Sequence, residues 1–146
     1  LAGAKIQGSE VFYVNQDISV VAGNISADMY SPRNSGEADE AGVIIRLGIR
    51  DYDVLITGDA GMSVERRLIS EVDLADTELL IVGHHGSKYS TSTELLEAIN
   101  PELAIISVGW NSYGHPSEEA LSRLDDCGIK VLQTDISGNI SVRILE

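Results

Sequence analysis

From residue 42 onward the chain alternates short, abrupt apolar runs with amphipathic stretches, and few architectures accept that rhythm. The runs are Gly42–Leu47, Asp53–Thr57, Leu79–Val82, Leu103–Val108 and Ile129–Gln133. Each is far shorter than the ~20 residues a membrane helix needs. Short apolar runs of this kind suit buried strands. Gly42–Leu47 and Asp53–Thr57 are expected as neighbours joined near Arg50-Asp51. Between the later runs lie three helical patterns. Residues 62–70 carry Val64, Leu68 and Ile69 on one face, residues 92–100 end before Pro101, and a third helix starts with Pro116 in its first turn and stops at Gly128. Thr91 and Glu94 have the spacing of a capping box at the start of the second helix. A last strand, Ile140–Leu145, is expected after a turn at Ser137-Gly138-Asn139. Strands and helices in alternation predict an α/β layered fold with a mixed sheet and its helices on one face.

Residues 1–40 read differently. Glu10–Val14 and Ile18–Ala22 are β-type runs around Asn15-Gln16-Asp17, the pattern of a hairpin; Ile25–Tyr30 suggests another strand, and residues 31–40 a polar loop. The expected organisation is a single partial domain over 1–146, with a strand-rich leading segment (1–40) and an α/β region (41–146). The chain begins at Leu1 without a Met or a charged-then-apolar leader, so it reads as an internal piece of a longer protein.

Charge narrows the function classes. Ten Lys+Arg against 23 Asp+Glu give a net charge of −13. Nucleic-acid affinity comes mostly from Lys and Arg displacing counterions, so the charge argues against a simple groove-binding protein. Bound divalent cations could supply the missing positive charge. The single Cys127 cannot form an internal disulfide and is expected as a packed structural thiol.

The residues with chemistry gather just beyond strand ends. Thr57-Gly58-Asp59 follows one apolar run, Gly83-His84-His85-Gly86-Ser87 the next, and Tyr113-Gly114-His115-Pro116 lies shortly after the third. In open α/β sheets the carboxyl ends of strands are where ligands bind. Asp59 alone could be a helix cap, and His115 alone a turn residue. Adjacent imidazoles between glycines are a poor choice for a core, and His84-His85 suits a metal or catalytic role. Imidazole and carboxylate together are donors for zinc, manganese or iron. No Gly-x-Ser-x-Gly, Gly-x-Gly-x-x-Gly or Walker sequence is present to support a serine hydrolase or a nucleotide-cradling loop.

The order Leu55–Ala60, Val82–Lys88, Ile106–Gly109 and Tyr113–Ser117, closed by Gln133-Thr134-Asp135 and Gly138-Asn139-Ile140, resembles the carboxyl-terminal metallo-β-lactamase-fold domain of the ComEC competence proteins. The resemblance runs from about residue 30 to the end and implies half of an αββα sandwich. By the same resemblance Asp59 bridges two metal ions and His84 binds the second, with His85 as the alternative ligand. His115 assists near a phosphate or carries a proton, and Lys88 and Ser87 sit within reach of that phosphate. The implied parent is a soluble domain of a bacterial integral membrane protein, on the extracytoplasmic side of the cell membrane. It would act as a zinc- or manganese-dependent nuclease on DNA during uptake, alongside a membrane channel region of its own chain and without a small-molecule cofactor.

The family's principal metal motif, His-x-His-x-Asp-His, does not occur in this chain. Asp59, His84, His85 and His115 are fewer donors than a two-metal site needs. The chain by itself is therefore expected to hold metal weakly and to hydrolyse nothing, whereas the longer parent is an enzyme. Two other functions fit the same residues: a non-catalytic binding domain of a DNA-uptake channel protein, and a stand-alone hydrolase of small phosphate esters.

Overall fold

The computed structural model describes residues 16–32, 42–75 and 77–145. Seven strands form one sheet: β1 (Ile18–Ala22), β2 (Ile25–Tyr30), β3 (Ile44–Ile49), β4 (Tyr52–Ile56), β5 (Thr77–Ile81), β6 (Leu103–Ile106) and β7 (Lys130–Gln133), lying side by side in chain order. β1 to β4 pair antiparallel, and β4 to β7 pair parallel. The switch at β4 follows from connection length. Tight turns can only join antiparallel neighbours, whereas parallel ones need a crossover. The crossovers use α1 (Met62–Glu71), α2 (Thr93–Ile99) and α3 (Glu118–Asp126). The expected α/β fold with a mixed sheet is the fold observed. The Glu10–Val14 half of the expected hairpin lies outside the described residues; its partner Ile18–Ala22 is β1, paired with β2.

Period-two alternation sorts the central strands into two apolar faces. Ile44, Leu55, Leu80, Ala104 and Ile106 turn toward the helices and join Val64 and Leu68 of α1, Leu95, Leu96 and Ile99 of α2 and Leu124 of α3 in the main core. Val54, Leu79 and Ile105 turn the other way and pack with Leu47, Ile56, Ile81, Leu103, Leu132 and Ile140. Two apolar faces explain why β4, β5 and β6 read as unbroken hydrophobic runs. Cys127 packs half-buried against the main core, and burial pushes its thiol pKa up. Among the described residues no helix is long and apolar enough to cross a membrane.

Three local expectations are corrected. The cap of α2 is Ser92, whose side chain accepts from the Leu95 N–H, one residue later than Thr91. Thr91 instead sits in the left-handed region at φ 57°, and Glu94 pairs with Arg66 at 3.0 Å. Pro116 precedes the cap of α3, which is Ser117, accepting from Ala120 N–H. The strand expected at Ile140–Leu145 does not form. After β7 the chain makes one helical turn, α4 (Thr134–Ser137), pinned by the Thr134 hydroxyl to Val108. Gly138, at φ 67°, then directs the chain away from a sheet pairing, and of the tail only Ile140 joins the second apolar cluster.

Candidate strand-end site

Because β4, β5 and β6 run parallel and in register from Ile56 through Ile81 to Ile105, their carboxyl ends share one edge of the sheet. The three sequence motifs follow those ends, and backbone hydrogen bonds stitch them together. His84 N–H donates to Gly58 O at 2.8 Å, which sets the histidine pair against the loop carrying Asp59. Ser117 N–H donates to Gly86 O at 2.9 Å, which brings the segment after His115 onto the same turn. His85 Nδ1 bonds the Ser107 carbonyl at 2.6 Å, tying in the end of β6. Facing a carbonyl, that nitrogen is the donor.

Two close approaches explain glycines here. A Cβ on Gly83 would stand 2.7 Å from Thr57 Oγ1, and one on Gly42 would stand 2.4 Å from Ala60 N and 2.6 Å from Asp59 N. The left-handed conformations fall on the histidines themselves, His84 at φ 48° and His85 at φ 54°. Non-glycine residues held there cost on the order of 1 kcal/mol or more each, and such strain gathers at functional sites.

His84 and His115 meet edge to face, with ring centroids 5.8 Å apart. His115 also stacks against Tyr113, at 6.1 Å and 22° between planes. Its Nδ1 is buried without a hydrogen-bond partner in the structure. Desolvation, and then the neighbouring His84 and His85, hold the His115 pKa below the ordinary imidazole value. It is therefore a neutral imidazole near pH 7, able to accept a proton. Asp59 is exposed on its loop, and His85 is exposed on the far side of the turn from Gly58. Lys88 is exposed, with its ammonium 5.1 Å over the Tyr89 ring. Ser87 is buried, and its hydroxyl accepts from Tyr89 N–H, a bond that holds the loop.

Several residues that shape the site carry no motif. Glu65 of α1 is fully buried, and its two carboxylate oxygens accept from Thr91 N–H at 2.6 Å and Ser92 N–H at 2.8 Å. Arg123 of α3 donates to the carbonyls of Thr91 and Ser90, both at 2.8 Å. Together they clamp the loop that follows the histidines. Asn111 forms four hydrogen bonds, to Gly109 O and His115 O and from Tyr113 N–H and His115 N–H. A signal for Glu65 existed in the sequence: it lies three residues before Leu68, on the apolar face of α1.

Among the described residues no three His, Cys, Asp or Glu side chains group closely enough to hold a metal ion. Two facing imidazoles and the Asp59 loop do not make a metal centre by themselves.

Fold and site together define an α/β domain with a histidine-rich strand-end site. Its sequence is similar to part of several much longer proteins. Competence protein ComA of Neisseria gonorrhoeae is 34% identical over 110 residues, 74% of this chain and 16% of that protein. ComE operon protein 3 of Bacillus subtilis is 39% identical over 90 residues, 61% of this chain and 12% of that protein. Recombination protein 2 of Haemophilus influenzae is 40% identical over 94 residues, 64% of this chain and 12% of that protein. The chain thus spans 12–16% of the length of these curated relatives. No protein-family model matches the chain.

Proposed function

We propose that this chain is part of a ComEC-like DNA-uptake protein and that its strand-end site handles the phosphodiester backbone of DNA. The observation that carries this reading is the meeting of His84 and His115, 5.8 Å apart, on loops from adjacent parallel strands and hydrogen-bonded to the Asp59 loop. The named relatives supply the biological direction, since two carry competence or recombination in their names. In this reading the domain is of metallo-β-lactamase type and belongs to a membrane-embedded parent, facing the extracytoplasmic side. Neutral His115 accepts or returns a proton, and Lys88 offsets phosphate charge. Asp59 and His84, with His85 as alternative, would supply only part of a ligand set for the zinc or manganese of the parent, which when bound would offer Lewis acidity to the phosphate.

A second reading, a non-catalytic DNA-binding part of the uptake apparatus, is favoured by one observation: the described residues do not assemble three metal donors. Cleavage of DNA by the 146-residue chain and by a version extended upstream, each with manganese, tests both. The enzyme reading expects no cleavage by the short chain, cleavage by the extended one, and its loss in Asp59→Ala. DNA binding without cleavage by the extended chain leaves the binding reading standing. Cleavage by the short chain that survives Asp59→Ala refutes the residue assignment.

A further inference from the structure

The only tryptophan of the chain, Trp110, is 97% exposed, and Tyr113, three residues on, is 83% exposed. Rings of this size usually bury 150–250 Å² each, so two left in water on one loop call for an explanation. They are held in place: the four hydrogen bonds of Asn111 brace the loop between Gly109 and His115, and Tyr113 leans on His115. Trp110 and Tyr113 line a cleft of about 350 Å³ together with His85, Val108 and His115. On the other side of Tyr113 and His115 lies a more polar cleft of about 550 Å³, bordered by Lys88, Tyr89, Glu118 and Glu119.

We infer that Trp110 and Tyr113 form a stacking platform for an unpaired nucleobase, so that the strand-end site takes single-stranded nucleic acid. The inference rests on the DNA reading above and narrows its substrate. Charge makes the choice. Glu118 and Glu119 counter Lys88 in the polar cleft, and the chain as a whole carries −13, so phosphate attraction alone cannot gather a strand. Stacking on aromatic faces adds an attraction that does not come from phosphate charge, and it tolerates any base because every base has a π-face. A duplex hides its base faces and presents only its phosphates, the part this surface repels. A base seated against Trp110 and Tyr113 leaves its own phosphate beside His85 and His115, which line the same cleft.

Trp110 is also the reporter that tests this. The 146-residue chain is titrated with an oligodeoxythymidylate of about eight nucleotides, within the usual site sizes for single strands. Saturable quenching of Trp110 emission is expected, with no quenching by an abasic oligomer of equal length and none by a hairpin duplex. Tyr113→Ala is expected to weaken the quenching about tenfold, the loss of one stacking partner. Anisotropy of a labelled oligonucleotide reads Trp110→Ala, where the same loss is expected. Both side chains are solvent-exposed, so these variants retain the parent's urea midpoint. Equal binding of abasic and base-bearing oligomers, or unchanged binding to both variants, overturns the platform while leaving the DNA reading intact. Absence of any single-strand binding also overturns it; cleavage by the extended chain then judges the DNA reading separately.

Discussion

Replacing Glu65 with Gln tests how the histidine-bearing loop is held. The carboxylate accepts the N–H groups of Thr91 and Ser92, at 2.6 and 2.8 Å, in a fully buried position. A carboxamide keeps one acceptor and points an NH2 at the other N–H. A buried donor left without a partner costs about 1–3 kcal/mol. Removing a buried charge offsets part of that loss, so a net destabilisation of about 2 kcal/mol is expected for Glu65→Gln. For a chain of this size that corresponds to roughly 4–8 °C in Tm. Glu65→Ala frees both donors and leaves a void, and roughly 3–4 kcal/mol is expected. Urea unfolding measures both, and hydrogen exchange at the Thr91 and Ser92 amides locates the effect. The pH dependence adds a second check. Burial raises the Glu65 pKa above its ordinary value despite its donors. The native state therefore binds this proton more tightly than the unfolded chain does. Glu65 adds stability as pH falls through its folded pKa, and the gain is complete below the unfolded carboxyl's range. Because Gln does not titrate, the stability gap between parent and Glu65→Gln should widen on acidification from pH 7. A variant as stable as the parent, or a gap that closes on acidification, refutes the clamp.

Two further outcomes are expected. Gly42→Ala should destabilise by about 1–3 kcal/mol, because its methyl would meet the backbone of Asp59 and Ala60, which cannot yield as a side chain can; amide shifts at Asp59 and Ala60 in NMR spectra, without those at Trp110, would locate the strain. The His115 ring should titrate below the ordinary imidazole value, and His84→Ala should raise its midpoint only in part, since desolvation is the larger cause; full restoration would mean that charge from His84 dominates.

The sheet was legible where burial on both faces left its mark. β3 to β7 are apolar runs in the sequence because helices cover one side and a second cluster forms on the other. The strand-end position of the histidines was legible for the same reason, as each follows such a run. Facts set by tertiary contact were not. Thr91 loses the cap to Ser92 because Thr91 sits at φ 57°, whereas Ser92 has the extended backbone of an N-cap, and Glu65, 26 residues before Thr91, accepts the N–H of both. The Ile140–Leu145 pattern alternates like a strand, yet the Thr134 hydroxyl binds across to Val108 and turns the chain before it can pair. Nothing local announced that His84 and His85 would take left-handed conformations, which hydrogen bonds to Gly58 and Ser107 hold. Trp110 and Tyr113 read only as loop residues, since nothing local states that a ring will face water.

The sheet order repeats the chain order, so each strand's hydrogen-bonded neighbour is the strand made just before or after it. A chain leaving the ribosome finds every pairing partner already waiting, and no strand has to be threaded between two that are joined. The antiparallel ribbon comes first, and each crossover then adds one parallel strand at a single growing edge. The strand-end site is built across β4, β5 and β6, and it is latched only when Ser117 reaches back to Gly86. Synthesis therefore imposes a schedule in which the framework is laid before the strand-end cleft is closed.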